Sequence, residues 1–317
     1  MPAAAMYSLL IKKENAHEDP IYCCAWTQTN ISADPKEQKK DFIVTGGLDG
    51  LVKVWRVDNY KLELYHTLQG HSMAVVSVAV SSDGHTIASA SLDSTMIIWD
   101  LTSGNKVHEI QSEATDVWKI EFSPNNTHVA SGSHTGKVVI YDIVKGMVHK
   151  VLDTRGKFTV CVAWSADDRF ISSGSVDGTV CIFDVQQGKL IHTIEAHTKI
   201  VRSVQFSMNL LVTASDDGFV NIYESGSGNL IKNVNLKCGV LSACFSVDGN
   251  RVCAARVDGA VCLIMLADYS IGKLFHEHSS MVWDVKFNPK SDHVVSVSKD
   301  KCINVYECPI PQRDIKK

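Results

Sequence analysis

Short runs of alternating or β-branched apolar residues recur along the whole chain, and they predict strands. One stretch shows the pattern clearly, because Val201 to Phe206 and Leu210 to Ser215 both have the composition of a strand. Asp217-Gly218 follows, a dipeptide that favours a tight hairpin, and Phe219 to Glu224 predicts a third strand. No segment has a persuasive helical period. The sequence therefore predicts an all-β fold.

These strands belong to an internal repeat. Its elements are a Ser or Thr, an Asp four residues later and an aromatic or apolar residue six residues after the Asp, as in Ser89, Asp93 and Trp99. The Asp position falls at residues 49, 93, 135, 177, 217, 258 and 300, with gaps of 44, 42, 42, 40, 41 and 42 residues. Thr135 replaces the Asp in the third copy, and the sixth copy has lost the flanking pattern at Ala254. Seven copies fill nearly the whole chain.

On these residues the chain resembles the WD40-repeat family. Trp99-Asp100, with Gly70-His71 about 28 residues earlier, fits the family signature, and a period of ~40–45 residues is that of one four-stranded blade. The resemblance implies a single seven-bladed β-propeller over residues 1–317. The family's Gly-His position in blades one, two, five and seven is occupied by Ala16-His17, Gly70-His71, Ala196-His197 and Glu277-His278.

The ends of the chain predict how the ring closes. The repeats run over about 14–310 and stop after the third strand of the last blade, which leaves that blade one strand short. The strand-like segment at about 6–13 can supply it and so remove a sheet edge. Residues 311–317 are expected to be a short tail. The polar residues 27–41 are expected to be a loop insertion in blade one.

His, Ser and Asp are the residue types of a hydrolase triad, and the repeat contains four such sets. Recurrence at the blade period argues against catalysis, and the family resemblance implies a structural role instead. In that role His bridges the turn Asp and the strand hydroxyl, which in turn reaches the aromatic residue of the next strand. The residues assigned to these networks are His17, Thr45, Asp49, Trp55, His71, Ser89, Asp93, Trp99, His197, Thr213, Asp217, Tyr223, His278, Ser296, Asp300 and Tyr306.

Composition narrows the function class further. The net charge of -4 argues against a protein that binds nucleic acid by bulk charge. The ten cysteines contain no CxxC pair, so we expect buried thiols in a reducing compartment, the nucleus and cytoplasm, and neither a metal site nor a disulfide framework. No apolar run reaches the ~18 residues that span a bilayer, and no secretory signal is recognisable. Without a phosphate loop, a nucleophile elbow or an HExxH motif, we expect no catalytic activity and no cofactor.

A propeller presents its loops around a central channel. The top face gathers the start of each first strand and the turns between the second and third strands. One channel position per blade falls on Tyr22, Val76, Trp118, Val160, Arg202, Leu241 and Trp283, a set rich in residue types of binding hot spots. Leu48, Leu92, Val176 and Val257 precede the turns and would add apolar surface. Arg256 is expected to present a charge in blade six.

A closer similarity is to the small WD-repeat subunits of the superkiller (Ski) complex, shared in animals with the RNA polymerase II-associated factor (PAF) complex. It rests on Leu152 to Phe158 leading into blade four, Leu211 to Gly218 in blade five, Glu14 to Asp19 and Tyr306 to Ile310. The similarity is weakest at blade six.

This similarity implies a non-catalytic scaffold with defined partners. They are the tetratricopeptide-repeat subunit and the RNA helicase of the Ski complex, which acts with the exosome in cytoplasmic 3'-5' mRNA decay, and the PAF subunits in transcription elongation. It also implies capture of a short motif on the top face by Tyr22, Trp118, Arg202 and Trp283, with Asp216 pairing an Arg of the motif.

Three other functions stay open at the sequence level. A substrate receptor of a cullin-type ubiquitin ligase commonly has an Arg two residues after Trp-Asp, but Trp99-Asp100 is followed by Leu101-Thr102. A reader of histone tails is compatible with the rim tryptophans, although no acidic and aromatic cage is recognisable. An enzyme is the third alternative, and direct binding of RNA is disfavoured by the acidic balance.

Overall fold

A computed structural model describes residues 7–31, 38–111 and 117–310. It contains seven four-stranded antiparallel sheets, which confirms the predicted seven-bladed propeller. The strands are β1 Ser8–Lys13, β2 Ile21–Thr29, β3 Lys40–Gly47, β4 Val52–Asp58, β5 Lys61–Leu68, β6 Val75–Val80, β7 Thr86–Ser91, β8 Thr95–Asp100, β9 Lys106–Gln111, β10 Val117–Phe122, β11 His128–Ser133, β12 Lys137–Asp142, β13 Met147–Asp153, β14 Thr159–Trp164, β15 Phe170–Ser175, β16 Thr179–Asp184, β17 Lys189–Glu195, β18 Val201–Ser207, β19 Leu210–Ser215, β20 Phe219–Glu224, β21 Leu230–Asn235, β22 Val240–Phe245, β23 Arg251–Arg256, β24 Val261–Met265, β25 Ser270–Phe275, β26 Val282–Phe287, β27 His293–Ser298 and β28 Ile303–Glu307.

Each of blades one to six consists of four consecutive strands, beginning with β2, β6, β10, β14, β18 and β22. The first strand of each blade contacts the first strand of the next, so these strands line the channel. The fourth strands are the most exposed, as the burial of β21 shows. The blades are therefore arranged radially, and the start of each first strand faces the top opening.

The hydrophobic core lies between blades rather than within them. Phe42 and Val54 of blade one, for example, pack in one cluster with Ile87, Ile97 and Trp99 of blade two. A sheet has two faces, and the central strands of each blade are buried on both because a neighbouring blade covers each face. Each blade therefore depends on both of its neighbours.

The ring closes as predicted, by pairing the two ends of the chain. β1 pairs antiparallel with β28, from Ser8 opposite Glu307 to Lys13 opposite Ile303, and completes the sheet of β26, β27 and β28. The amide of Ala16 also donates to the carbonyl of Lys301 at 2.9 Å.

The blade-one insertion is shorter than expected from 27–41. β2 continues to Thr29 and β3 begins at Lys40, with these two residues paired. The carboxylate of Asp41 accepts from the Trp26 indole at 2.7 Å and from the Gln28 amide at 3.0 Å, which keeps the polar end of this hairpin ordered as strand. Residues 32–37 lie outside the described part of the chain, as do Met6 of the predicted closing strand and the predicted tail.

Blades one and two contain complete polar networks. In blade one, His17 Nδ1 lies 2.9 Å from Asp49, His17 Nε2 lies 2.8 Å from the Thr45 hydroxyl, and the Trp55 indole donates to that hydroxyl at 3.0 Å. The indole N–H can only donate, so the Thr45 hydroxyl accepts from Trp55 and joins it to His17.

In blade two the corresponding bonds join His71 to Asp93 at 3.3 Å and to Ser89 at 2.7 Å, and Trp99 to Ser89 at 2.8 Å. Burial lowers the pKa of His71 and outweighs the effect of Asp93, which agrees with a neutral ring.

The polar networks of blades five and seven keep the His, the Asp and the hydroxyl but have a Tyr in place of the Trp. His278 joins Asp300 at 2.9 Å and Ser296 at 2.7 Å, and Ser296 lies 3.4 Å from the Tyr306 hydroxyl. His197 joins Asp217 at 2.9 Å and Thr213 at 2.7 Å.

The prediction of a hydrogen bond between Thr213 and Tyr223 is wrong. The Tyr223 hydroxyl instead donates to the Ala196 carbonyl at 3.3 Å and accepts from Asn221 at 3.1 Å. Asn221 lies two residues before Tyr223 on β20 and supplies the nearer polar partner.

Removing β1 tests ring closure. Deletion of residues 1–13 leaves β28 as an open edge and uncovers the apolar surface that Leu9 and Ile11 cover. We expect the melting temperature to fall by at least ~5 °C, since lost apolar burial of several kcal/mol lowers it by about 2–4 °C per kcal/mol. Thermal unfolding followed by circular dichroism measures this. Deletion of residues 1–6 is the matched control, because it keeps β1; equal melting of the two deletions would refute closure by β1.

Asp93→Ala tests the polar networks. The substitution leaves the buried His71 without its carboxylate and removes the acceptor of the Ser72 amide, which lies 2.8 Å from Asp93. We expect the free energy of unfolding to fall by about 1–3 kcal/mol. Chemical denaturation gives the value, with Asp58→Ala as control because that carboxylate is half exposed and its ion pair is long, at 3.7 Å. A loss no larger than that of the control would contradict a structural role for the network.

Candidate functional site

A β-bulge shapes the top opening of the channel in every blade. The register between first and second strands shifts at the same place each time, for example between Ile21 and Cys23 and between Val282 and Asp284. A bulge re-aims side chains, and in blades three, five, six and seven it brings two successive residues to the channel wall. The predicted rim position lines the channel in all seven blades, and these residues are Tyr22, Val76, Trp118, Val160, Arg202, Leu241 and Trp283.

The seven rim residues enclose one cavity of about 530 Å³. Leu92 and Val176, from the predicted turn set, also line it, together with Phe158 and Ile200, which the sequence did not single out. Of the remaining turn residues, Leu48 and Val257 are exposed on the same face. The opening is therefore an apolar basin continuous with exposed apolar loops.

Aromatic rings build two sides of this basin. Tyr22 and Trp283 meet edge to face, with ring centroids 5.1 Å apart, at the junction of blades one and seven. Trp118 and Phe158 lie 6.2 Å apart at the junction of blades three and four, and His134 packs edge-on against Phe158. Trp118 is 36% exposed, which is high for so large an apolar side chain. Rigid, partly exposed rings of this kind are typical hot-spot residues.

A charged floor lies below the rings. Asp284 is buried, accepts from the Ser242 hydroxyl at 2.6 Å and from the Cys24 amide at 3.2 Å, and lies 3.2 Å from the Lys119 ammonium across the channel. Burial raises the pKa of Asp284, but Lys119 and Lys286 outweigh it and hold that pKa below its usual value. Asp284 is therefore an anion that joins blade seven to blades one, three and six.

Deeper in the channel, a second acid has the opposite shift. Burial raises the pKa of Glu121 to about 7, and the nearby Lys286 and Lys119 only partly offset this. The carboxyl groups of Glu121 and Asp284, both close to Lys119 and Lys286, therefore have pKa values shifted in opposite directions.

The role predicted for Asp216 requires correction. Both of its carboxylate oxygens are held by Arg202, with the Nε at 3.0 Å and a terminal nitrogen at 2.7 Å. A bidentate pair of this kind satisfies the carboxylate within the protein. Asp216 therefore positions Arg202 at the rim, instead of pairing with an Arg of a bound partner as predicted.

Two blades without the His use other cations at the same turn. The Lys157 ammonium lies 2.6 Å from Asp177 in blade four, and the sequence contains the signal, because this spacing of 20 residues equals that of His197 and Asp217. Arg256, which was expected to present a charge in blade six, has its guanidinium paired with Asp258 at 2.5 Å and mostly buried.

In the described ranges, His, Cys, Asp and Glu form no group of three with metal-binding geometry. Over the same ranges, no helix is long and apolar enough to cross a membrane. All ten cysteines are free thiols, and Cys238 alone among them is not fully buried.

Comparisons with known proteins agree with this geometry. The family model described as IFT122 first beta-propeller matches residues 35–307, and the one described as WD domain, G-beta repeat matches residues 9–56. WD repeat-containing protein SL1-17 of Schistosoma mansoni is 32% identical over 307 residues, covering 96% of this chain and 100% of the relative.

Two shorter matches are to plant proteins. WD repeat-containing protein VIP3 of Arabidopsis thaliana is 36% identical over 28% of this chain and 25% of its own length. Small ribosomal subunit protein RACK1y of Oryza sativa subsp. japonica is 44% identical over 22% of this chain and 20% of its own length. The fold, the repeat and these matches together show that the chain belongs to the WD40-repeat β-propeller family.

Proposed function

We propose that this protein is a non-catalytic interaction scaffold, the small WD-repeat subunit of the Ski complex and of the PAF complex. In the first it would serve cytoplasmic 3'-5' mRNA decay with the exosome, and in the second transcription elongation in the nucleus. The segments Leu152 to Phe158 and Leu211 to Gly218, which resemble that subunit, support the assignment. The observation that carries the scaffold function is the apolar basin on the top face.

The basin fits a short protein segment better than a small metabolite. Its walls are apolar and aromatic, and its charged groups, Arg202 with Asp216 and Lys119 with Asp284, are already paired. A ligand therefore gains binding free energy mainly by burying apolar side chains. The paired charges can orient the ligand but do not require it to be charged.

The buried networks support a non-catalytic role. The hydroxyls of Thr45, Ser89 and Ser296 belong to fully buried residues, and each is engaged by a His and an aromatic partner. A nucleophile must reach its substrate, which these hydroxyls cannot do without unfolding of the hairpin. The same residue types therefore serve stability here.

The proposed partners follow from the same resemblance. They are the tetratricopeptide-repeat subunit and, through it, the RNA helicase of the Ski complex, and PAF subunits in the nucleus. A helical-repeat protein offers exposed loops and termini of the length that the basin can hold. Association with both complexes would place the protein in nucleus and cytoplasm.

A paired substitution tests the proposal. Trp118→Ala with Trp283→Ala removes two of the rings around the basin while the blade cores stay intact. We expect the affinity for the purified tetratricopeptide-repeat subunit to fall at least ~10-fold, as loss of a hot-spot aromatic costs about 2 kcal/mol or more. Isothermal titration calorimetry measures the affinity, and thermal melting checks the fold.

The matched control is Tyr60→Ala, which removes an exposed aromatic ring from the opposite end of blade one. Unchanged affinity of the double variant would overturn the top-face site. Affinity purification of the tagged protein from its own cells tests the complexes themselves. Recovery of a cullin adaptor or of histones, without Ski or PAF subunits, would overturn that assignment and leave only the scaffold.

A further inference from the structure

The face opposite the basin is formed by the turns between the first and second strands, and blade five departs from the other blades there. These turns span residues 81–85, 123–127, 165–169, 246–250 and 288–292 in blades two, three, four, six and seven. In blade five the turn is only 208–209, because β18 continues to Ser207 and β19 begins at Leu210. The short turn leaves a recess beside blade four.

The residue at the tip of this turn is also unusual. Met208 has a φ of 49° and is 79% exposed. The corresponding left-handed position is held by small or polar residues elsewhere, namely Gly84, Asn126, Asp168, Gly249 and Ser291. A long apolar side chain is disfavoured there, and it gains little burial in return. The fold alone therefore does not account for Met208.

Met208 forms one wall of a cavity of about 370 Å³ between blades four and five. Phe170 supplies a second apolar wall, and the carboxylates of Asp167 and Glu224 supply acidic ones. No Lys, Arg or His side chain is among the described residues that line this cavity. Methionine is flexible and polarisable, and it is common on surfaces that receive varied apolar side chains.

The Asp167 carboxylate of this cavity keeps its charge. Hydrogen bonds from the Ser165 hydroxyl and the Arg169 amide hold the pKa of Asp167 below its usual value. The guanidinium of Arg169 lies over the Phe170 ring at 4.8 Å and pairs at 3.8 Å with Asp184, which does not line the cavity. The cavity therefore combines two apolar side chains, Phe170 and Met208, with the acidic residues Asp167 and Glu224.

An exposed apolar side chain next to a carboxylate also occurs in the neighbouring turn of blade six. Val247 is 67% exposed at the tip of the next turn, and the neighbouring Asp248 is mostly ionised because its pKa is lowered by Ser246 against the effect of burial. The Met208 methyl group reaches toward this turn, lying 3.7 Å from where a Cβ on Gly249 would stand. Arg251 near Asp248 is fully buried and offers no charge at the surface.

We propose that this lower groove, defined by Asp167, Phe170, Met208 and Glu224, is a second docking site, and that its occupant is a partner segment with an apolar side chain flanked by Lys or Arg. The apolar side chain enters beside Met208 and Phe170. The flanking cations meet Asp167 and Glu224, an arrangement that charge complementarity favours over a neutral or acidic segment. With a basin on one face and a groove on the other, the propeller holds two partners at once.

A defined probe tests this inference on the full chain. The probe is a fluorescent peptide with two leucines between Lys-Arg pairs, and its twin replaces the basic residues by Glu and Asp. We expect the basic peptide to bind and to shift the Met208 resonance in methyl-labelled protein, with affinity that weakens as salt rises. The acidic twin should bind at least ~10-fold more weakly.

Met208→Asn separates docking from folding. Asn occupies this turn position in blade three, so we expect unchanged or slightly higher melting together with at least ~10-fold weaker binding of the basic peptide. Val144→Asn is the matched control, an equally exposed apolar residue on the lower face of blade three. Asp167→Asn with Glu224→Gln should reduce the salt dependence.

The outcomes also distinguish this groove from the top face. Trp118→Ala with Trp283→Ala should bind the basic peptide like the wild type, because those residues lie on the other face. Wild-type affinity in Met208→Asn, equal binding of the acidic twin, or no binding up to about 1 mM peptide would each overturn the lower groove, and none of them bears on the top-face basin.

Discussion

Closure of the ring is the constraint on which the rest of the molecule depends. Each core cluster lies between two blades, so a blade without a neighbour would expose an apolar face. The chain meets this need by pairing its first strand, β1, with its last, β28. Closure also fixes the channel, because Asp284 of blade seven can reach the Cys24 amide of blade one only in a closed ring.

A closed ring holds the top face in one conformation. The channel strands are joined by bonds such as those from Ser203 to the Ala243 carbonyl and from Ser242 to Asp284. The rim rings stand on the same strands, at bulges, and so are held in place before any partner arrives. A preformed aromatic surface loses little entropy on binding, which is the advantage of a propeller as a scaffold.

The repeat made much of this predictable from the sequence, and the limits have physical causes. A period fixes strands, turns and rim positions, since Tyr22 and Trp283 stand at equivalent points of their blades. The period does not show which polar groups form hydrogen bonds with each other. The pairing of Asp216 with Arg202 and the bond from Tyr223 to Ala196 were therefore missed. The charged floor was missed because simple alternation turns Asp284 away from the channel, whereas the bulge turns it inward.

Seven copies of one unit also provide an internal reference for function. Some departures from the repeat are repaired within the blade, as when Lys157 replaces a His and still pairs with Asp177. Met208 is different, because it combines a left-handed backbone with a long apolar side chain that stays 79% exposed, where blades two, three, four, six and seven have Gly, Asn, Asp or Ser. A departure that stability cannot explain points to binding. By that criterion we propose the lower groove as a docking site in addition to the top basin, and no described residue lines both cavities.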